Sequence, residues 1–134
     1  MNDQAPEDRP FWHLAEVRHW QAAVASGTYV QSTLGATLAE VGFLHASYPE
    51  QLPGVVKACY ARYADPLVVL EIHPVALRQA GVEVRLEPGD PSDPDSLMFP
   101  HVYGALPVES VIRTRPASVD RGWLDLGPWV PVAD

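Results

Sequence analysis

Proline interrupts this chain fourteen times in 134 residues, and never as a tract. Each proline fixes its own φ, removes a backbone donor and biases the residue before it away from the helical region. The expected architecture is therefore a set of many short elements joined by stiff turns. The length suits one hydrophobic core of two packed layers, so residues 1–134 are expected to form a single domain. A hydrophobic share of 47% against 19% charged residues belongs to a folding chain rather than a disordered one.

The formal charge of −8 opposes binding to extended nucleic-acid duplexes, which depends on Lys and Arg neutralising phosphates. A local pocket for one small anionic ligand is compatible with it. The single cysteine, Cys59, has no intramolecular partner, which fits a reducing compartment. Residues 1–10 lack the basic-then-apolar order of a signal peptide, and no apolar run approaches the roughly 20 residues that span a bilayer. The cytoplasm is the expected location, with no membrane partner.

Residues 1–10 read as a mobile leader. A strand is expected over 11–14, then an amphipathic helix over 15–26, in which Val17, Trp20 and Val24 recur at helical spacing before Gly27. A brief strand at 28–30 precedes a stretch, 31–41, with no clear pattern, and 43–46 reads as a short buried strand. Ser47 and Glu50 have the spacing of a capping box, predicting a helix to about residue 62 with Leu52, Val55, Val56, Cys59 and Tyr63 on its apolar face. The run 67–72 is nearly all apolar and β-branched, as in a central strand covered on both faces.

Pro74 opens a short helix ending near Gly81. Alternation over 82–87 predicts a half-exposed strand with Glu83, Arg85 and Glu87 on its wet face. Residues 88–96 read as a mobile surface loop, and 99–103 and 111–115 as the last strands. The segment from 116 onward carries Trp123 and Trp129 and is expected to pack on the body of the domain or on a partner.

Three of the five histidines, His13, His45 and His101, sit on short strands between apolar or proline neighbours. Such a side chain is either a core imidazole satisfied by backbone carbonyls or a group aimed into a cleft. Side chains two apart share a side of an extended segment, so His45 and Ser47 face one way. His19 falls on the polar face of the first helix, and His73 is explained by the helix start at Pro74. A tri-histidine metal site is chemically sensible, but the three histidines show no local ligand spacing. A two-histidine phosphoesterase site needs a second His-x-Ser/Thr, and His101 is followed at that spacing by Tyr103. Glu71, in an otherwise apolar strand, is the carboxylate expected to be buried. Glu87 is expected to pair with Arg85, and Cys59 to serve packing.

The segments Trp12-His13-Leu14, Gly42-Phe43-Leu44-His45-Ala46-Ser47, Leu70-Glu71-Ile72 before Pro74, and Phe99-Pro100-His101-Val102-Tyr103-Gly104-Ala105-Leu106-Pro107 occur in an order that resembles the bacterial family called domain of unknown function nine hundred and fifty-two. The resemblance runs from about residue 11 to 115. It departs at His73, where the family often has Asp, and at Ala46, where it often has Cys.

That family is similar in its proposed fold to the ADP-ribosyltransferase superfamily, especially the RNA 2'-phosphotransferase-like branch. The resemblance implies an α+β fold of split, twisted sheets around an NAD-binding cleft. It implies that His13 bonds a ribose hydroxyl, that His45 and Ser47 line the cleft, and that His101 and Tyr103 close it. His45, Ser47 and His101 would then be the catalytic candidates and His13, His45 and Tyr103 the cofactor contacts, with NAD or a related nucleotide bound as substrate for ADP-ribosyl transfer or hydrolysis. A non-catalytic binding or scaffold module on the same fold and a histidine-ligated metal-dependent hydrolase are the alternatives.

Overall fold

The computed structural model describes residues 9–90, 92–93 and 95–132, so nearly all of the expected leader lies outside the described residues. The strands are β1 (Phe11–Glu16), β2 (Thr28–Tyr29), β3 (Gln31–Thr33), β4 (Ala36–Thr37), β5 (Leu44–His45), β6 (Leu67–Ile72), β7 (Glu83–Pro88), β8 (Met98–Tyr103), β9 (Leu106–Pro107), β10 (Val111–Asp120), β11 (Trp123–Leu126) and β12 (Val130–Pro131). The helices are α1 (Val17–Ser26), α2 (Leu38–Val41), α3 (Leu52–Cys59) and α4 (Pro74–Gln79). Among the described residues no helix is long and apolar enough to cross a membrane.

Two antiparallel sheets organise the α+β fold. The larger runs in the order β1-β6-β10-β11, with β12 also pairing β10, and the smaller runs β5-β8-β7. Among the described residues a backbone bridge joins them: Trp12 N–H donates to the Ser47 carbonyl at 2.7 Å and Ser47 N–H to the Trp12 carbonyl at 2.8 Å. The short pairs β2-β9 and β3-β4 lie off these sheets.

β6 is covered on both faces, as its unbroken apolar run requires. Val68, Leu70 and Ile72 join Phe11, Ala15, Leu77, Leu44 and Val102 in one core; Leu67 and Val69 join Leu14, Leu52, Val56, Tyr60 and Ala117 in the other. α1 packs on the first core through Val17, Trp20 and Ala23, whereas Val24 is 56% exposed. β1 continues to Glu16, two residues past the expected end, because the apolar register against β6 persists through Ala15↔Val68 and Glu16↔Leu67. His19 is half-buried and lies 3.4 Å from Glu16, so the expected solvated histidine has a carboxylate neighbour.

The expected capping box at Ser47 does not form. Both backbone groups of Ser47 are spent on Trp12, and the cap falls one residue later, where Tyr48 N–H donates to Gln51 Oε1 at 2.8 Å ahead of a 3-10 turn, Pro49–Gln51. The helix that follows stops at Cys59, short of residue 62, and Cys59 is exposed rather than buried.

The unassigned stretch resolves into a hairpin and one helical turn. Gly35 takes a positive φ of 72° between β3 and β4, and α2 carries a full capping box in which Thr37 Oγ1 accepts from Glu40 N–H while Glu40 accepts from Thr37 N–H. The C-terminal segment packs on the body: Trp129 lies beneath the guanidinium groups of Arg113 and Arg115, at 4.0 and 4.7 Å, and meets Trp12 edge-on at 5.5 Å. Trp123, by contrast, is 69% exposed.

Candidate functional site

The small sheet gathers the candidate side chains by register. β5 pairs with β8 so that His45 faces His101, and β7 pairs with β8 so that Arg85 faces His101 and Glu87 faces Phe99. With a two-residue side-chain period, Phe99, His101 and Tyr103 share one face with His45, Arg85 and Glu87. Phe43 stacks on the His101 ring, centroids 4.0 Å apart, and Phe99 lies 5.2 Å from the His45 ring.

A chain of hydrogen bonds crosses this face. Glu87 Oε1 accepts from His101 Nδ1–H at 2.8 Å and from the Tyr103 hydroxyl. His101 Nε2 lies 3.3 Å from His45 Nδ1. With the proton of His101 held on Nδ1 by the carboxylate, Nε2 is the acceptor, so His45 donates through Nδ1 and its Nε2 keeps a lone pair. That Nε2 has no hydrogen bond to the described residues, and only Ser32 Oγ among their side-chain atoms is buried without a partner.

Burial brings His45 down to about 4, assisted by the nearby rings of His101 and His13. Its ring is neutral at pH 7. The Tyr103 hydroxyl first, and His101 second, hold the Glu87 carboxyl below the usual range, and the same bond pushes Tyr103 up.

The expected Glu87–Arg85 ion pair is absent. Arg85 bonds Glu83 at 2.9 and 3.1 Å and covers the Tyr103 ring, leaving Glu87 to the histidine. Glu71 is largely buried beside Trp12, as expected, and is bound by Arg113 Nε at 2.7 Å and Trp12 Nε1 at 3.0 Å, on the far side of β1 from the histidines.

His13 sits deeper, 3% exposed. Its Nδ1–H donates to the His45 carbonyl at 2.7 Å and its Nε2 lies 2.9 Å from the Tyr29 hydroxyl. Burial brings it to about 4 against the raising effect of the carbonyl bond, so the ring is neutral and the Tyr29 hydroxyl is the donor at Nε2. Both nitrogens are used, and a ligand contact by His13 requires Tyr29 to be displaced.

Two spaces flank His45. A groove of about 410 Å³ runs between α3 and the loop after β7, lined by His45, Gln51, Val55, Cys59, Leu97 and Phe99 together with Asp90 and Ser96. Behind it a cavity of about 20 Å³ is lined by His13, Ser32, Thr33, His45, Ser47 and Tyr60. His45, Val55 and Cys59 line both, so the two spaces share a wall. The loop bordering the groove is stitched at its neck, where Gly89 N–H donates to the Leu97 carbonyl at 2.8 Å and Asp90 N–H to Ser96 Oγ at 3.1 Å. A larger depression, about 520 Å³ beside Pro74, Arg78 and Val82, holds none of the candidate residues.

Thus His45, His101 and Tyr103 share one face, His45 and Ser47 share the cavity, and His13 anchors them from below. Among the described residues no group of three His, Cys, Asp or Glu side chains is arranged to hold a metal ion. Tyr29 and Ser32 are residues that sequence inspection does not single out, and Glu87 is one that it assigns to Arg85 rather than to His101.

Solved structures show the same fold. The crystal structure of protein CC0527 from Caulobacter crescentus matches with a TM-score of 0.69 and 24% identity, over 87% of this chain and 93% of that one. A double mutant of the same protein matches with a TM-score of 0.67 at the same identity and coverage. No curated protein matches the chain significantly. The family model described as Protein of unknown function (DUF952) matches residues 14–114, and the chain belongs to that family.

Proposed function

We propose that the groove beside His45 is a nucleotide-binding cleft of the ADP-ribosyltransferase-like kind, with NAD as its substrate and His45 as its base. The observation that carries this reading is the Glu87–His101–His45 chain, which ends at an imidazole whose Nε2 has no hydrogen bond to the described residues and which lines the groove. A carboxylate behind an imidazole fixes its tautomer and steadies the proton it takes up. A second imidazole here extends that arrangement by one link.

The groove's size lies in the range of small-molecule sites, roughly 300–1,000 Å³. Phe99, Leu97 and Val55 offer apolar walls for a flat ring, and Gln51 and Ser96 offer hydrogen bonds. NAD supplies a glycosidic bond whose cleavage passes through a cation-like ribosyl centre. The chain's part is to orient the ribose and to take a proton from the attacking hydroxyl at His45 Nε2. Glu87 is a positioning residue, acting through His101. The described lining residues include Asp90 and neither Lys nor Arg, so affinity comes from stacking and hydrogen bonds and is expected to change little with salt.

Calorimetric titration with NAD, ADP-ribose, nicotinamide and 2'-phosphorylated RNA ends tests the reading, with nicotinamide release as the measure of turnover. Expected are binding of NAD and at least tenfold weaker binding by a folded His45→Ala variant. Binding without turnover favours the non-catalytic module. No binding of any of these compounds, or binding indifferent to His45, removes the site.

A further inference from the structure

The cavity behind His45 presents a buried hydroxyl with nothing to bond. Ser32, on β3, is 1% exposed, and its Oγ is the one buried side-chain N or O atom without a hydrogen-bond partner among the described residues. Burying a hydroxyl unpaired is costly, because its bonds to water are lost and not replaced, so such a group points to a ligand. The cavity it lines measures about 20 Å³, above the roughly 10–15 Å³ that one water needs and too small for a larger molecule.

The polar groups around it divide sharply. His13 has both ring nitrogens engaged, and Tyr60 bonds the Leu14 carbonyl and Thr33. Ser32 and Ser47 have no side-chain hydrogen bond to the described residues, and His45 retains its Nε2. Three open groups around a one-water volume match the roughly three hydrogen bonds a buried water makes. The remaining lining is apolar, from Leu14, Leu52 and Val55.

We infer that this cavity is a water-binding site built on Ser32, Ser47 and His45, and that the water it holds is the second substrate of the reaction in the adjoining groove, making that reaction a hydrolysis. The inference rests on the proposed function for the identity of the first substrate. Ser32 and Ser47 hold the water, and His45 Nε2 accepts its proton. The water oxygen forms the new bond to the ribose C1' as the C1'–nitrogen bond breaks, the bonding pair leaving with neutral nicotinamide. The proton on His45 is then released to solvent, so NAD and water give ADP-ribose, nicotinamide and one proton. Larger acceptor alcohols are excluded because the cavity has no room for them.

A crystal structure of the full chain, together with Ser32→Ala and Ser32→Val variants, tests the site. Expected is one ordered water within hydrogen-bond distance of Ser32 Oγ in the wild type, excluded by the valine. Ser32 bonded directly to protein, with no ordered water beside it, overturns the site. NAD binding heats and nicotinamide release test the role: release should fall at least tenfold in Ser32→Val and less in Ser32→Ala, with NAD affinity held within twofold. Undiminished release after the water is lost overturns the assignment of the nucleophile. With methanol present, the wild type should form ADP-ribose alone, and a methyl riboside as a major product overturns the size exclusion. No NAD turnover by the wild type overturns the functional reading, while the crystallographic comparison still decides the water site.

Discussion

His13 makes the fold acid-sensitive by an amount that can be worked out. In the folded chain its imidazole titrates near 4, because burial opposes the charged form; in the unfolded chain it returns to the ordinary 6.5. The unfolded state therefore binds more protons between those values, and stability falls as pH falls. The contribution is fully present above about 6.5, declines through the window to about 4, and levels off below it. At pH 5 the unfolded chain gains RT ln(1 + 10^1.5), about 2 kcal/mol, while the folded chain gains almost nothing.

Urea unfolding of the wild type and a His13→Gln variant at pH 7 and pH 5 isolates that quantity. The variant is destabilised at both pH values by lost contacts with Tyr29 and the His45 carbonyl, but those losses cancel when only the pH-induced changes are compared. The wild type should lose about 2 kcal/mol more than the variant, a difference in midpoint shift of about 1 M urea for a domain of this size. His45, also brought to about 4, is lowered chiefly by its own burial and only thirdly by His13, so its contribution largely cancels between the two proteins. Equal pH-induced losses in the two proteins would falsify the assignment of His13 as a sealed, neutral ring.

Glu87→Gln replaces the charged acceptor of His101 Nδ1–H and Tyr103 with a neutral amide that can also donate, which loosens the hold on the His101 tautomer; nicotinamide release should drop at least tenfold while circular dichroism stays unchanged. Gly89→Ala places a Cβ 2.6 Å from Phe99 Cε1, so the ring must move within the groove wall; about 1–3 kcal/mol of stability should be lost, measured by urea unfolding, along with weaker NAD binding. Trp129→Ala removes the ring shared by Arg113, Arg115 and Trp12, and about 2 kcal/mol should be lost in the same assay. Cys59 is exposed on the groove wall, so a thiol reagent should modify the native protein, and a bound groove ligand should slow that reaction severalfold.

What could be read from the sequence followed local physics. The unbroken apolar run of β6 announces a strand covered on both faces, and Pro74 announces α4. The histidines stood out because each interrupts a short apolar strand, and all three come together. The errors arose where long-range pairing competes with a local motif. Ser47 carries a cap pattern, but its backbone closes the bridge to Trp12, which moves the cap to Tyr48 and Gln51. Thr37 and Glu40 display a cap pattern that does form, in a stretch with too little apolar periodicity to declare a helix. Glu87 and Arg85 lie on one face of β7, which predicts their pairing; the side chains of His101 and Tyr103 reach Glu87 across from β8 instead. Ser32 had no signal, since its importance lies in the hydrogen bond it lacks.

The site owes its geometry to two joints rather than to any one element. β5 is only two residues long, so its register against β8 is fixed by little more than the Leu44↔Val102 and His45↔His101 pairs. A slip of one residue would turn His45 into the core and Leu44 into water. Leu44 is 1% exposed and packs in the first core, so burial of that side chain opposes the slip. The second joint, between Trp12 and Ser47, lets His13 reach the His45 carbonyl from another sheet and hold the backbone beneath the ring. His45 is thus fixed through its backbone by β1 and through its ring by β8, and both constraints together hold it in the wall shared by groove and cavity.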